Sequence, residues 1–318
     1  MTPPVATSHV VYIVGWGRSG STLLTAILGE IKGAFAAGEL RLLWSHGVQR
    51  KRLCGCGKPI PECPIWSQVL EKIHDAPATA EEMERIQARR LRSRHFLPEL
   101  FKMARNRGPD DELTRYATTY AMALAAVHDV TGAEVVIDSS KNPIDALLLQ
   151  RVGVDLRPVN LVRDPRTVAA SWARRKKLYD GDDESELRLF TPWTSSVLWS
   201  LWNALAHLVG RSTDRPLEVV HFEAFLEDPG REIDRLAAVC GLTREGLHLD
   251  GRTVHLSPNH LVAGNGDRFN TGVVEIEPRD AAGLERPLDH LLSSIASFPM
   301  TLRLRYRVLR RRRPEPPG

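Results

Sequence analysis

An α/β fold with a central parallel sheet flanked by helices is what this sequence predicts, and three observations predict it. Short, nearly continuous apolar runs recur along the chain, each bounded by turn residues and followed by a helix-like segment. Such runs suit strands buried on both faces, with parallel neighbours joined through helices. The first run, HVVYIV at 9–14, opens directly into GWGRSGSTLL, the frame of a phosphate-binding loop, which makes the expected architecture a P-loop-type three-layer fold. Finally, 318 residues that are 42% apolar and 26% charged suit one large domain with a sizeable core.

Residues 10–14 read as the first strand, and Ser21 to Leu28 begins the first helix. EVVID at 134–138 is the second strand, followed by Ser139-Ser140-Lys141-Asn142-Pro143 and the helix-like IDALLLQ. PVNLVR at 158–163 is the third, with Asp164-Pro165 and a helix to about Arg175 behind it. LEVVHF at 217–222 is the fourth, and PGREIDRLAAVCGL is its helix. Between the first and second strands lies an insertion, 40–130, with a Cys-rich loop and helical patterns near 80–105 and 112–130. No repeat or Gly/Ser hinge divides the chain, so 1–318 reads as a single domain. The uncharged run TPWTSSVLWSLWNALAHLVG at 191–210 has the length of a membrane span, but Asn203, His207 and five Ser/Thr residues favour a buried helix.

Net charge is +4 and the pI about 9.0, and the basic tail 300–318 contains RLRYRVLRRRR with seven arginines. This excess favours anionic partners or a solvated terminal helix. The N-terminus lacks a basic stretch followed by an apolar core, and four cysteines do not make a disulfide framework for this length. The expected location is cytoplasmic, with no membrane span and no nucleic-acid partner.

In GWGRSGSTLL, Gly15 and Gly20 stand at the spacing of G-x-x-x-x-G-K-[ST], but Ser21 occupies the lysine position and Arg18 lies three residues earlier. Backbone N–H groups of such a loop close around oxyanions, and the following helix points its positive end at them. Ser19, Ser21 and Thr22 add hydroxyls. A triphosphatase lysine serves the β- and γ-phosphates, so its absence argues against ATP or GTP hydrolysis. Asp138 is the one obvious carboxylate at a strand end for magnesium. The loop suits a nucleotide without a transferable γ-phosphoryl group.

The segment resembles the 5′-phosphosulfate loop of sulfotransferases that use 3′-phosphoadenosine 5′-phosphosulfate (PAPS), in the RSG[ST]T form of the carbohydrate and tyrosylprotein enzymes. NLVRDPRTVAASW at 160–172 resembles their 3′-phosphate motif: a strand ending in Arg163, an Asp-Pro, and Ser171 eight residues beyond. A guanidinium fork and a helix hydroxyl suit a phosphate dianion. Glu39 follows Arg18 by the separation of the tyrosylprotein enzymes' catalytic glutamate, and Ser140-Lys141-Asn142-Pro143 resembles their lysine loop. VVHFEAFLEDPGREIDRLAAVCGL at 219–242 resembles the family's RYEDL…P…L..FLGL segment, with His221-Phe222 in place of Arg-Tyr and Ala224 in place of Asp. HLVAGNGDRFNTG at 260–272 resembles the GN..RF loop of many bacterial members. The resemblance covers about 1–45 and 134–275.

It implies in-line sulfuryl transfer from PAPS to a hydroxyl or amine of a small molecule, glycan or natural product. Glu39 would be the base, Arg18 would meet the leaving group, and Lys141 would neutralise the sulfuryl oxygens. Arg18, Ser19, Gly20, Ser21, Thr22, Arg163, Ser171 and Arg268 would bind the donor. Arg41 would hold Glu39 or an acidic acceptor, and the rival base is a histidine, His46. Trp44, Trp66, Trp193, Trp199 and Trp202 would line the acceptor pocket or pack in the core. No metal is required by this chemistry. Two other readings stand beside it: a nucleotide or small-molecule kinase with a degenerate loop, and a non-catalytic nucleotide or anion binder.

CGCGKPIPECPIW at 54–66 spaces its cysteines C-x-C-x₆-C. Buried thiols, a metal site or a redox pair all fit. For zinc a fourth ligand is needed, and His46, His74 and Cys240 are candidates that no spacing singles out.

Overall fold

The computed structural model describes residues 9–105, 108–174, 189–213, 215–277 and 286–311. Strands β1 (His9–Val14), β2 (Ala34–Gly38), β3 (Val135–Lys141), β4 (Leu156–Val162) and β5 (Glu218–His221) form a parallel sheet in the order β2-β3-β1-β4-β5. Successive side chains of a strand face opposite ways, and β1 divides its residues accordingly. Val10, Tyr12 and Val14 join one core while Val11 and Ile13 join another.

Helices close both faces. In chain order they are α1 (Ser21–Gly29), α2 (Trp66–Lys72), α3 (Ala80–Arg90), α4 (Phe96–Arg105), α5 (Asp111–Thr131), α6 (Pro143–Arg151), α7 (Pro165–Ala173), α8 (Pro192–Ser212), α9 (Phe222–Glu227), α10 (Pro229–Cys240) and α11 (Pro287–Arg311). Side chains of α5, α6 and α8 fill the core on the Tyr12 side. Those of α1, α9 and α10 fill the core on the Ile13 side. A small antiparallel sheet of β6 (Leu249–Asp250), β7 (Thr253–Leu256) and β8 (Gly272–Glu275) adds Val254 and Leu256 to that second core.

The strand-to-helix turns are built by local chemistry that was legible in the sequence. Asn142 Oδ1 accepts from Ile144 N at 2.9 Å with Pro143 at the first helical position, and Asp164 Oδ1 accepts from Arg166 N at 2.9 Å with Pro165 there. A side-chain cap followed by proline satisfies an exposed amide and presets the helical φ. The uncharged run forms α8, with Trp199, Trp202, Leu205, Ala206 and Val209 buried, and among the described residues no helix is long and apolar enough to cross a membrane. α11 lies against α8, where Ser200 Oγ donates to Ala296 O at 2.9 Å. The basic segment is helical through Arg311, and 312–318 lie outside the described residues.

Two expectations need correction. AFAAG at 34–38 is a strand, although its small residues carry no strand pattern; it is held by pairing with β3. The 40–130 segment therefore runs between β2 and β3. Parallel neighbours need a crossover helix, and α5 supplies it, with Tyr116 and Tyr120 fully buried against the sheet. The helical pattern near 80–105 is likewise two helices, α3 and α4, separated at 91–95.

Candidate active site

Segments from the carboxyl ends of all five strands meet where open parallel sheets place their ligands. After β1 the loop turns through Gly15 (φ 143), Arg18 (φ 70) and Gly20 (φ 88). A Cβ on Gly20 would sit 2.1 Å from the Phe222 ring, so glycine is demanded by space as well as by backbone. Helix α1 has no side-chain cap and no acidic residue in its first turn, which leaves its first amides and their positive field for an anion. Ser19 Oγ is spent within the loop, donating to Trp16 O at 2.7 Å. Ser21 and Thr22 are buried at the start of α1, and Thr22 Oγ1 accepts from Asn265 N at 3.3 Å.

Arg18 lies over Trp172, its guanidinium carbon 5.0 Å from the ring centroid, and its buried Nε has no hydrogen-bond partner among the described residues. Burial pulls its pKa down, and the charge of Glu39 opposes that pull. Trp172 Nε1 donates to Gly17 O at 3.2 Å, locking α7 against the loop. Arg163, just past β4, donates from Nη1 to Arg18 O at 3.3 Å and stacks over Phe222 at 4.9 Å. Phe222 thus has a role that a tyrosine hydroxyl is not needed for. Asp164 N donates to Glu223 Oε1 at 2.8 Å, and burial raises the Glu223 pKa. Ser171 is half-buried on α7 beside Trp172.

Facing the loop, Lys141 Nζ stands 2.7 Å from Glu39 Oε1, and these side chains are only 14% and 25% exposed. Gly38 (φ 78) turns the chain out of β2 just before Glu39, and a Cβ there would lie 2.9 Å from Val262 N. Lys141 itself has φ 67 and also donates to Ser139 O at 3.0 Å. The left-handed backbone at both ends aims the two side chains at each other.

A sequence profile described as the sulfotransferase family matches residues 11–246. The chain belongs to the sulfotransferase family. It is an enzyme, and the kinase and non-catalytic readings give way. The sulfotransferase domain of the olefin synthase from Synechococcus PCC 7002 is 19% identical, with 93% of this chain and 97% of that one covered at a TM-score of 0.50. The sulfotransferase domain from the curacin biosynthetic pathway is 14% identical, covering 92% and 98% at 0.49, and sulfotransferase STF1 from Mycobacterium tuberculosis H37Rv is 13% identical, covering 75% and 69% at 0.41. At 19% identity the likeness to the olefin synthase domain is one of fold. No curated protein matches the chain.

Several side chains of this sulfotransferase sit elsewhere than the sequence suggested. Arg41 does not hold Glu39: its guanidinium pairs with buried Asp145, reaches Tyr116 OH at 3.4 Å and donates to Leu91 O at 3.2 Å. Asp138 is fully buried, with one oxygen accepting from Tyr120 OH at 2.6 Å and the other from Ser140 N at 2.8 Å, and burial lifts its pKa to about 6. That carboxylate is a structural acceptor. His46 is held neutral, its pKa pressed to about 4 by burial and by Arg52 and Arg50.

Arg268 is 1% exposed, donating to Gly264 O at 3.1 Å and stacked over Phe269 at 4.3 Å. It shapes the 260–272 loop from inside, and Gly264 and Asn265 of that loop touch Thr22. Among the tryptophans, Trp44, Trp66, Trp199 and Trp202 are core residues, and Trp193 is exposed. Trp16 and Trp172 are the ones at the loop, 5.5 Å apart, and their position within the two motifs was the available signal. The cysteine cluster gains a fourth member that spacing did not nominate, His260; His46, His74 and Cys240 are not part of it.

Proposed function

We propose that this sulfotransferase takes its sulfuryl group from PAPS and delivers it in line to a hydroxyl or amine of a small-molecule, glycan or natural-product acceptor. The observation that carries the reading is the Lys141–Glu39 pair beside the phosphate loop, where Gly15 N donates to Lys141 O at 3.4 Å, with Arg163 bonded to the Arg18 carbonyl. The residues fit the donor's anionic groups on two counts: the buried Arg18 Nε, unpartnered among the described residues, and the uncapped start of α1. Bound there, PAPS would supply an activated sulfuryl group.

Each residue then has one task. Amides of Gly20, Ser21 and Thr22 hold the 5′-phosphate oxygens, while Arg163 and Ser171 take the 3′-phosphate. Arg18 offsets the negative charge that grows on the leaving oxygen. Glu39 accepts the acceptor's proton, and Lys141, 2.7 Å away, orients it, with its own charge beside the sulfuryl oxygens. Trp172 and the surrounding aromatic side chains keep the Arg18 guanidinium partly dehydrated, which strengthens its field.

The test is transfer itself. The purified enzyme with PAPS and a panel of phenolic, sugar and amine acceptors should yield products heavier by one sulfuryl group and one 3′-phosphoadenosine 5′-phosphate per transfer. Transfer of phosphate from ATP under the same conditions, with none of sulfuryl, would overturn the assignment.

A further inference from the structure

The proposed chemistry leaves one cluster of reactive side chains unused. Cys54 and Cys56 lie on a tight turn, Cys63 follows the short helical turn Ile60–Glu62, and His260 arrives from the loop after β7. One Sγ from each cysteine and a ring nitrogen of the histidine all lie within 4.8 Å of one another. Cys63 Sγ is 3.2 Å and Cys54 Sγ 3.8 Å from His260 Nδ1, and both thiols are fully buried. We propose that Cys54, Cys56, Cys63 and His260 bind one zinc ion that clips the Cys-rich loop to the loop covering the phosphate site.

The separations suit a single tetrahedral ion. Zinc bonds of about 2.3 Å to sulfur and 2.0–2.1 Å to nitrogen put tetrahedral ligand atoms about 3.5–3.8 Å apart, so the widest pair, within 4.8 Å, closes by about 1 Å. Thiolate and imidazole select zinc over magnesium or calcium, and four protein ligands leave no open position, as in a structural site. A Cys54–Cys63 disulfide would leave a third thiol and an imidazole in the same cluster without purpose. A two-iron cluster would spread its ligands over two metal centres, wider than these are.

The surrounding backbone is shaped for the site. Gly57 N donates to Cys54 O and Cys54 N to Lys58 O, each at 2.8 Å, which curls the turn around the thiols. Gly57 has φ 81, and a Cβ on Gly55 would lie 1.9 Å from Asn259 Oδ1, so both glycines are required. Gly55 N donates to Leu261 O at 3.0 Å, and Trp66 Nε1 donates to His260 O at 2.7 Å. The Phe35 ring stacks on the imidazole, with planes 14° apart. Such outer contacts fix a ligand histidine's orientation before the ion binds.

The clip has a mechanical consequence. From His260 the chain passes to Val262, whose N donates to Ala37 O at 3.0 Å, then to Asn265, whose N donates to Thr22 Oγ1. The ion therefore fastens the segment after Glu39 to the loop lying on the phosphate site. Each ligating thiol releases its proton on binding, so affinity falls with falling pH.

The test needs no sulfuryl donor, so it stands or falls apart from the proposed reaction. The full chain, purified under reducing conditions from zinc-supplemented medium, should carry about one zinc per chain by mass spectrometry, as a four-ligand site requires. Replacement by cobalt should give the intense visible bands of a tetrahedral thiolate site. Cys63→Ser and His260→Ala should each lower zinc occupancy at least about tenfold, the loss expected when a ligand is removed; Cys240→Ala, outside the cluster, should keep it. His260→Cys should retain zinc and deepen the cobalt–thiolate absorption. If Cys63→Ser is insoluble, the wild-type cobalt spectrum and His260→Cys decide. A folded wild type without stoichiometric zinc, an octahedral cobalt spectrum, a Cys54–Cys63 disulfide in freshly prepared protein, or full zinc occupancy in His260→Ala would each overturn the proposal.

Discussion

Lys141 Nζ lies 2.7 Å from Glu39 Oε1, although the two residues leave the ends of different strands and both approaches pass through left-handed backbone at Gly38 and Lys141. Such backbone costs energy at a non-glycine residue and is retained where surrounding structure fixes it. The pair is thus a defined polar contact at the mouth of the sheet, and it can be tested from either side.

Glu39→Gln preserves shape and removes the base. Turnover should fall by about 10²–10⁴-fold, the range of a lost general base, while binding of 3′-phosphoadenosine 5′-phosphate changes little. Steady-state kinetics beside calorimetry separates the two. Unchanged turnover would return the role to a histidine.

Arg41 separates structure from chemistry. Its buried partner is Asp145, so Arg41→Met should cost about 3–5 kcal/mol of stability in urea unfolding by leaving a charge unpaired. Arg41→Met/Asp145→Leu should recover part of that loss. Turnover of the folded double variant should stay within a few-fold of wild type; a collapse in turnover at restored stability would place Arg41 in the reaction.

Gly20→Ala forces a Cβ into the Phe222 ring and a left-handed backbone onto alanine. The variant should lose about 1–3 kcal/mol, read as a lower denaturant midpoint. The bisphosphate should bind at least tenfold more weakly, because the loop that cradles it moves.

Stability should depend on pH through two buried carboxyls and a partly buried histidine of opposite sign. Burial raises Asp138 from 3.8 to about 6, so between these values the folded chain holds a proton that the unfolded chain has released, and stability falls as pH rises. Buried Asp145, also raised, has the same sign. His46 drops from 6.5 to about 4, so its contribution is present above 6.5 and is lost as pH falls toward 4. Relative to wild type, Asp138→Asn should therefore gain stability on going from pH 4.5 to 6, and His46→Gln should lose it. Urea midpoints at the two pH values check both; equal slopes in the two variants would contradict the assignment.

Much of this architecture was legible because its signals are local. The β1 loop and the Asn-Pro and Asp-Pro caps of α6 and α7 announce themselves within a few residues, and each seats one of the proposed site's segments. β2 was not legible: AFAAG owes its strand to β3 and to the Gly38 turn against Val262, both distant in sequence. The fates of Arg41 and Arg268 were hidden for the same reason, since a guanidinium's partner is set by tertiary packing. His260 belongs to the cysteine cluster only because the 260–272 loop folds back over β2 through the Val262–Ala37 hydrogen bond.

The central claim, that Arg163 and the β1 loop hold a 3′-phosphorylated adenosine nucleotide, is tested most directly by calorimetric titration with 3′-phosphoadenosine 5′-phosphate, ATP and AMP on wild type and Arg163→Ala. The bisphosphate should bind at micromolar concentration, ATP and AMP much more weakly, and the variant should lose about 2–3 kcal/mol, the scale of a charge-assisted contact to phosphate. Preference for ATP, or bisphosphate affinity indifferent to Arg163, would contradict it.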